Sequence, residues 1–122
     1  MKVLVVSNPY PPGHLGGYEL ACAYVADNLA ALGHDVLVLT SQPGIAPSSG
    51  PAPKQASVER CLALAPVFDP ALVHAHQTLM LQALEARSQW VDSHNSGSLV
   101  HAIERFGPDV VYLWNLVGSG GL

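Results

Sequence analysis

The 122-residue chain predicts an α/β fold: a parallel sheet of about four strands in the order 3-2-1-4, with helices on both faces. Three observations predict it. Two short aliphatic runs, residues 3–6 and 36–40, are apolar without alternation, as strands buried on both faces must be. A stripe at helical spacing lies between them, which makes a strand–helix–strand unit in under forty residues. A last apolar run, residues 110–114, is entered through Gly107-Pro108-Asp109.

The first strand, residues 3–6, ends at Ser7 and opens into Asn8-Pro9-Tyr10-Pro11-Pro12-Gly13-His14-Leu15-Gly16-Gly17, whose prolines and glycines exclude regular structure. A helix is expected over residues 18–32, with Cys22, Val25, Ala26, Leu29 and Leu32 turned to the sheet. Glu19 stands in its first turn, where the helix dipole favours negative charge. Gly33 follows as a left-handed C-terminal cap. His34, just past that end, reads as a capping or surface residue. The second strand covers residues 36–40.

Residues 41–57 are rich in Pro, Gly, Ser and Ala and read as a long exposed loop. A short third strand is expected over residues 58–64, weakened by Glu59 and Arg60. Two helices follow, residues 70–87 and 89–106. In the second, Leu99, Ala102, Ile103 and Phe106 make the apolar stripe, and His94 and Asn95 are candidate caps. Gly107-Pro108 stops it, and the fourth strand covers residues 110–114.

Composition narrows the function. Charged residues are 11 % of the chain, against about 25 % in an ordinary soluble domain. Such a chain expects to bury surface against something else. The net charge of −4, with Lys and Arg totalling five, argues against nucleic-acid partners. No apolar run approaches the roughly 20 residues of a membrane span, and no signal-peptide pattern is present. A cytoplasmic location is the resulting expectation. Cys22 and Cys61 read as small buried hydrophobes in a reducing compartment. His74 and His76 are an H-x-H pair. On a strand this spacing holds a metal on one face, but on the expected helix it splays the rings, so no metal is expected.

In a sheet of this order, ligands sit at the carboxyl ends of the strands where the order reverses, here between strands 1 and 4. The loop of residues 7–17 and the tail from Asn115 flank that point. Gly16-Gly17 opens onto a helix N-terminus, where free amides and the dipole favour an anion and the missing Cβ atoms admit a phosphate. The alternative is a turn that merely needs glycine. The spacing of Gly13, Gly16 and Gly17 fits neither the dinucleotide fingerprint nor the P-loop, and Thr40-Ser41 replaces the acidic residue a dinucleotide site wants. No nicotinamide cofactor is expected. His14 lies in the same loop, as a ligand contact or a solvated residue. Asn8 and Tyr10 either line the acceptor side or satisfy loop backbone.

Three blocks carry a resemblance. Ser7-Asn8-Pro9-Tyr10-Pro11-Pro12-Gly13-His14-Leu15-Gly16-Gly17-Tyr18-Glu19 resembles the opening of family-4 glycosyltransferases, with its Tyr-Pro-Pro loop, paired glycines and acidic residue at the helix start. Residues 29–40 resemble the family's helix-to-strand junction, and residues 106–115 its Pro-Asp-Val-Val strand. The resemblance implies a GT-B architecture of two Rossmann-like domains facing across a cleft. Residues 1–122 would be a truncated N-terminal, acceptor-side domain, and the C-terminal donor domain with its Glu-x7-Glu type motif is absent.

It also implies sugar transfer from a nucleotide-sugar donor to an acceptor, with retention and without a metal or other cofactor. Gly16 and Gly17 would approach the donor diphosphate, with Glu19 supporting their loop. Many members carry a His after strand 4; here Trp114 and Asn115 stand in that region, and no His follows His101. With half a cleft, this piece alone is not expected to turn over substrate. Two other readings remain: a small non-catalytic nucleotide- or phosphate-binding module of flavodoxin-like topology, and an interaction module that forms a homodimer through an open sheet edge.

Overall fold

The structure is a computed structural model and describes residues 1–12, 16–42, 56–63 and 77–116. Four strands form one all-parallel sheet: β1 (Lys2–Ser7), β2 (Asp35–Ser41), β3 (Ser57–Leu62) and β4 (Val110–Asn115), in the order β3-β2-β1-β4. Among the described residues two helices pack with it, α1 (Gly17–Ala31) and α2 (Gln77–Phe106). The partial Rossmann-like arrangement expected from the sequence is present.

The unalternating runs of β1 and β2 are explained by a helix on each face. Val3, Val5, Val36 and Val38 pack with Cys22 and Ala26 of α1. Leu4, Val6, Leu37 and Leu39 pack with Ala102 of α2, and Leu99 and Phe106 close against them. Successive strand residues thus reach opposite cores.

The α1 stripe ends earlier than its spacing indicates. Leu32 is the C-cap residue and 75 % exposed, so it leaves the packed face. Gly33, at φ +90, turns the chain there. The Gly33 N–H donates to the Ala30 carbonyl (3.0 Å) and the His34 N–H to the Leu29 carbonyl (3.1 Å), the paired bonds of a Schellman motif.

Four other expectations are corrected. The stretch from Gln77 to Phe106 is one helix, not two meeting near residue 88. Arg87-Ser88-Gln89 contains neither Pro nor Gly, so nothing there breaks the backbone ladder. His94 and Asn95 therefore lie inside a helix and cap nothing. β3 runs over Ser57–Leu62 and stops short of residue 64. The stretch 41–57 is not all exposed loop, because Ser41 ends β2 and is buried, as is Ala56. His74 and His76 lie outside the described residues, as do residues 43–55.

Candidate functional site

At the carboxyl ends of β1 and β4, on the α1 face, the chain assembles a polar junction around Glu19. One carboxylate oxygen, Oε2, accepts the Gly16 N–H at 3.0 Å, so the third helical residue reaches back to the residue before the helix. The other, Oε1, accepts Nδ2 of Asn115 at 3.2 Å, from the end of β4. Beside it the Trp114 indole N–H donates to the Tyr18 carbonyl at 3.0 Å, and the two rings sit 5.6 Å apart. The start of α1 is thereby fastened to the end of β4 by two side chains.

Gly16 and Gly17 are both exposed. Gly16 has extended backbone (φ −169), which any residue adopts, and Gly17 is the first residue of α1. A Cβ at either would meet nothing within 4 Å among the described residues. Neither local backbone strain nor crowding by those residues requires glycine there. The Gly16 amide is taken by Glu19, whereas no bond among the described residues occupies the Gly17 amide, one of the first-turn donors a helix leaves over.

Comparison with protein-family models, with curated proteins and with solved structures finds no match.

Asn8 and Tyr10 both point inward. Asn8 is fully buried, its N–H donates to the Asn115 carbonyl at 2.8 Å, and its side-chain oxygen accepts the Ser41 hydroxyl in a short hydrogen bond. It joins the ends of β1, β2 and β4. Tyr10 is buried in the α1-side core, and its hydroxyl has no partner among the described residues. Burial pushes that phenol above its ordinary range, with the charges of Cys22 and Asp27 acting the same way. His14 lies outside the described residues.

Four contributors have roles that were not legible in the sequence. The Arg60 guanidinium donates to the backbone carbonyls of Tyr10, Pro11 and Ser41, so the charge that weakened β3 as a strand secures the Pro-rich loop. Asp27 accepts the Ala56 N–H at 3.1 Å and holds the entry to β3 against α1. Asn95, fully buried, accepts the Ala63 N–H (2.7 Å) and donates to the Ala63 carbonyl (2.9 Å), and His94 Nε2 donates to the Cys61 carbonyl (2.8 Å).

Cys22 is buried and Cys61 half-buried, and both are free thiols. Burial pushes the Cys22 thiol up to about 11, against a weaker opposing hydrogen bond with Ser7. A thiol held this firmly protonated is a poor nucleophile. No cluster of three or more metal-ligating side chains occurs among the described residues, and no helix among them is long and apolar enough to cross a membrane.

Proposed function

We propose that this chain is the N-terminal, acceptor-side part of a glycosyltransferase that moves a sugar from a nucleotide-sugar donor to an acceptor. In this reading α1 meets the donor diphosphate with its first-turn amides at Gly17 and Tyr18. Gly16 leaves room for the phosphate, and Glu19 keeps the turn fixed. In this reading the described residues supply one wall of a cleft, and transfer would need the opposite wall as well, since attack geometry needs both reactants held within about 3–3.5 Å.

One observation carries the reading. Two exposed glycines lead into α1 at the strand-order reversal, and no backbone or packing demand among the described residues accounts for them. A phosphate approaching the helix N-terminus supplies such a demand. The order of the three sequence blocks supports the sugar-transfer class.

The test is a titration of isotope-labelled protein with UDP, GDP and their sugars, followed by amide resonances. The expected result is saturable shifts at Gly17 and Tyr18 with the diphosphates and weaker ones with the free nucleosides. Unmoved Gly17 and Tyr18 resonances at millimolar diphosphate would refute phosphate binding by this turn.

A further inference from the structure

Arg60 carries a formal charge that the fold leaves unanswered. Its guanidinium is half-buried and donates only to carbonyl oxygens: Nη1 to Ser41 at 3.1 Å and to Tyr10 at 3.5 Å, Nη2 to Pro11 at 2.5 Å. Those acceptors are neutral. No carboxylate pairs with Arg60 among the described residues, whereas Arg105 is held by Glu59 at 2.6 Å. Burial works against the Arg60 charge and pushes its pKa down, with the nearby Tyr10 acting the other way. A guanidinium stays protonated all the same, so a partly desolvated cation is left without a counter-charge.

Securing the Pro-rich loop accounts for only part of the group. Arginine has five N–H donors. Three carbonyl bonds leave two of them, Nε–H and one on Nη2, without a partner among the described residues. No nitrogen of Arg60 is both sealed from solvent and unpartnered, so Nε stays within reach of a ligand. Two hydroxyls on the same side of the sheet are also short of partners. Val38 and Val58 pack with the α1-side core, so Thr40 and Arg60, two residues further along β2 and β3, face that side as well. Thr40 is fully buried, and neither its Oγ1 nor the Tyr10 hydroxyl has a hydrogen bond. Unsatisfied polar groups gathered beside an uncompensated cation mark a place that water or an ion completes.

The position points the same way. Tyr10 and Pro11 follow β1 and Ser41 ends β2, so the guanidinium spans the carboxyl ends of two parallel strands, on the strand pair next to the order reversal. Ligands of open α/β sheets sit outside those ends.

We propose that Arg60 anchors an oxyanion site, taking the phosphate-ester or carboxylate group of a small molecule through Nε–H and the remaining Nη2 N–H. The planar fork of arginine suits two oxygens of one such group. The carbonyl bonds hold the fork in place before the ligand arrives. The site uses neither the Gly17 amide nor the glycosyltransferase reading.

The test follows the arginine Nε–H resonances of isotope-labelled protein while inorganic phosphate, and separately acetate, replaces chloride at constant ionic strength. Arg60 is expected to shift saturably at millimolar phosphate or acetate, at least about fivefold further than Arg105, whose fork is already occupied. The anion that saturates at lower concentration names the group, a phosphate ester or a carboxylate. Phosphate is also expected to raise the thermal midpoint above that in chloride, as a ligand of the folded state does. Arg60→Lys, which keeps the charge but not the fork, is expected to lose most of that rise. An Arg60 Nε–H that stays still with both anions, or moves no further than that of Arg105, would overturn the proposal whether or not the variant folds. An equal rise in midpoint for Arg60→Lys and the parent would also overturn it. A response at Gly17 and Tyr18 with Arg60 silent would sink this site and leave diphosphate binding at α1 standing.

Discussion

Glu19 and Asn115 are 96 residues apart in the chain and 3.2 Å apart in the structure, carboxylate Oε1 to amide Nδ2. The bond joins the first turn of α1 to the last residue of β4, the two elements that flank the strand-order reversal. With its other oxygen on the Gly16 N–H, Glu19 sets where the helix N-terminus sits relative to the sheet.

Removing that carboxylate loosens the junction. Glu19→Ala is expected to cost about 1.5–3 kcal/mol, the range for hydrogen bonds to a charged group. Glu19→Gln keeps one acceptor and is expected to cost about half as much. Urea unfolding midpoints at constant m-value measure both. Equal stability of Glu19→Ala and the parent would mean that the carboxylate does not hold the turn.

Glycine substitutions separate folding from ligand binding. Gly33→Ala forces a side chain into φ +90 and is expected to destabilise by about 1–2 kcal/mol. Gly17→Ala, at a helical position with open space, is expected to leave stability unchanged or raise it by up to about 1 kcal/mol. The same Gly17→Ala is expected to weaken diphosphate binding several-fold. Thermal melts and the nucleotide titration on one pair of proteins give both readings.

Asn95 is a buried clamp on Ala63. Asn95→Ala deprives the Ala63 N–H and carbonyl of this partner and is expected to cost about 2–3 kcal/mol. Asn95→Asp keeps an acceptor for the N–H but sets a carboxylate against the carbonyl oxygen, and is expected to be no better than Ala. Chemical unfolding of the two variants decides the order.

Stability is expected to fall in alkali. The folded Cys22 thiol, pushed up from 9.0 to about 11, stays protonated where the unfolded chain has already lost its proton. The unfolded state then binds fewer protons, so the contribution is intact below pH 9 and disappears as pH rises toward 11. At about 1.36 kcal/mol per pKa unit the loss reaches up to about 2 kcal/mol. Tyr10, shifted the same way, extends the decline above this window. Denaturation midpoints from about pH 7 to 11 should fall less steeply for Cys22→Ala than for the parent. Parallel curves would remove Cys22 from the account.

The sequence by itself determined the sheet. Unalternating runs at residues 3–6 and 36–40 require cover on both faces, and Gly33 marks the end of α1, because these are consequences of local periodicity and backbone sterics. Only the tertiary structure decided what the polar residues do. Glu19 meets Asn115, Arg60 meets the Tyr10, Pro11 and Ser41 carbonyls, and Asn95 meets Ala63 because strand order and helix packing bring distant segments together. The same holds for the unbroken α2 helix: residues 87–90 neither favour nor forbid continuation, and packing of Ala102, Leu99 and Phe106 on the sheet draws its C-terminal turns into place. Hydrophobic spacing is written along the chain, whereas a hydrogen-bond partner across 96 residues is set by the register and packing that place it.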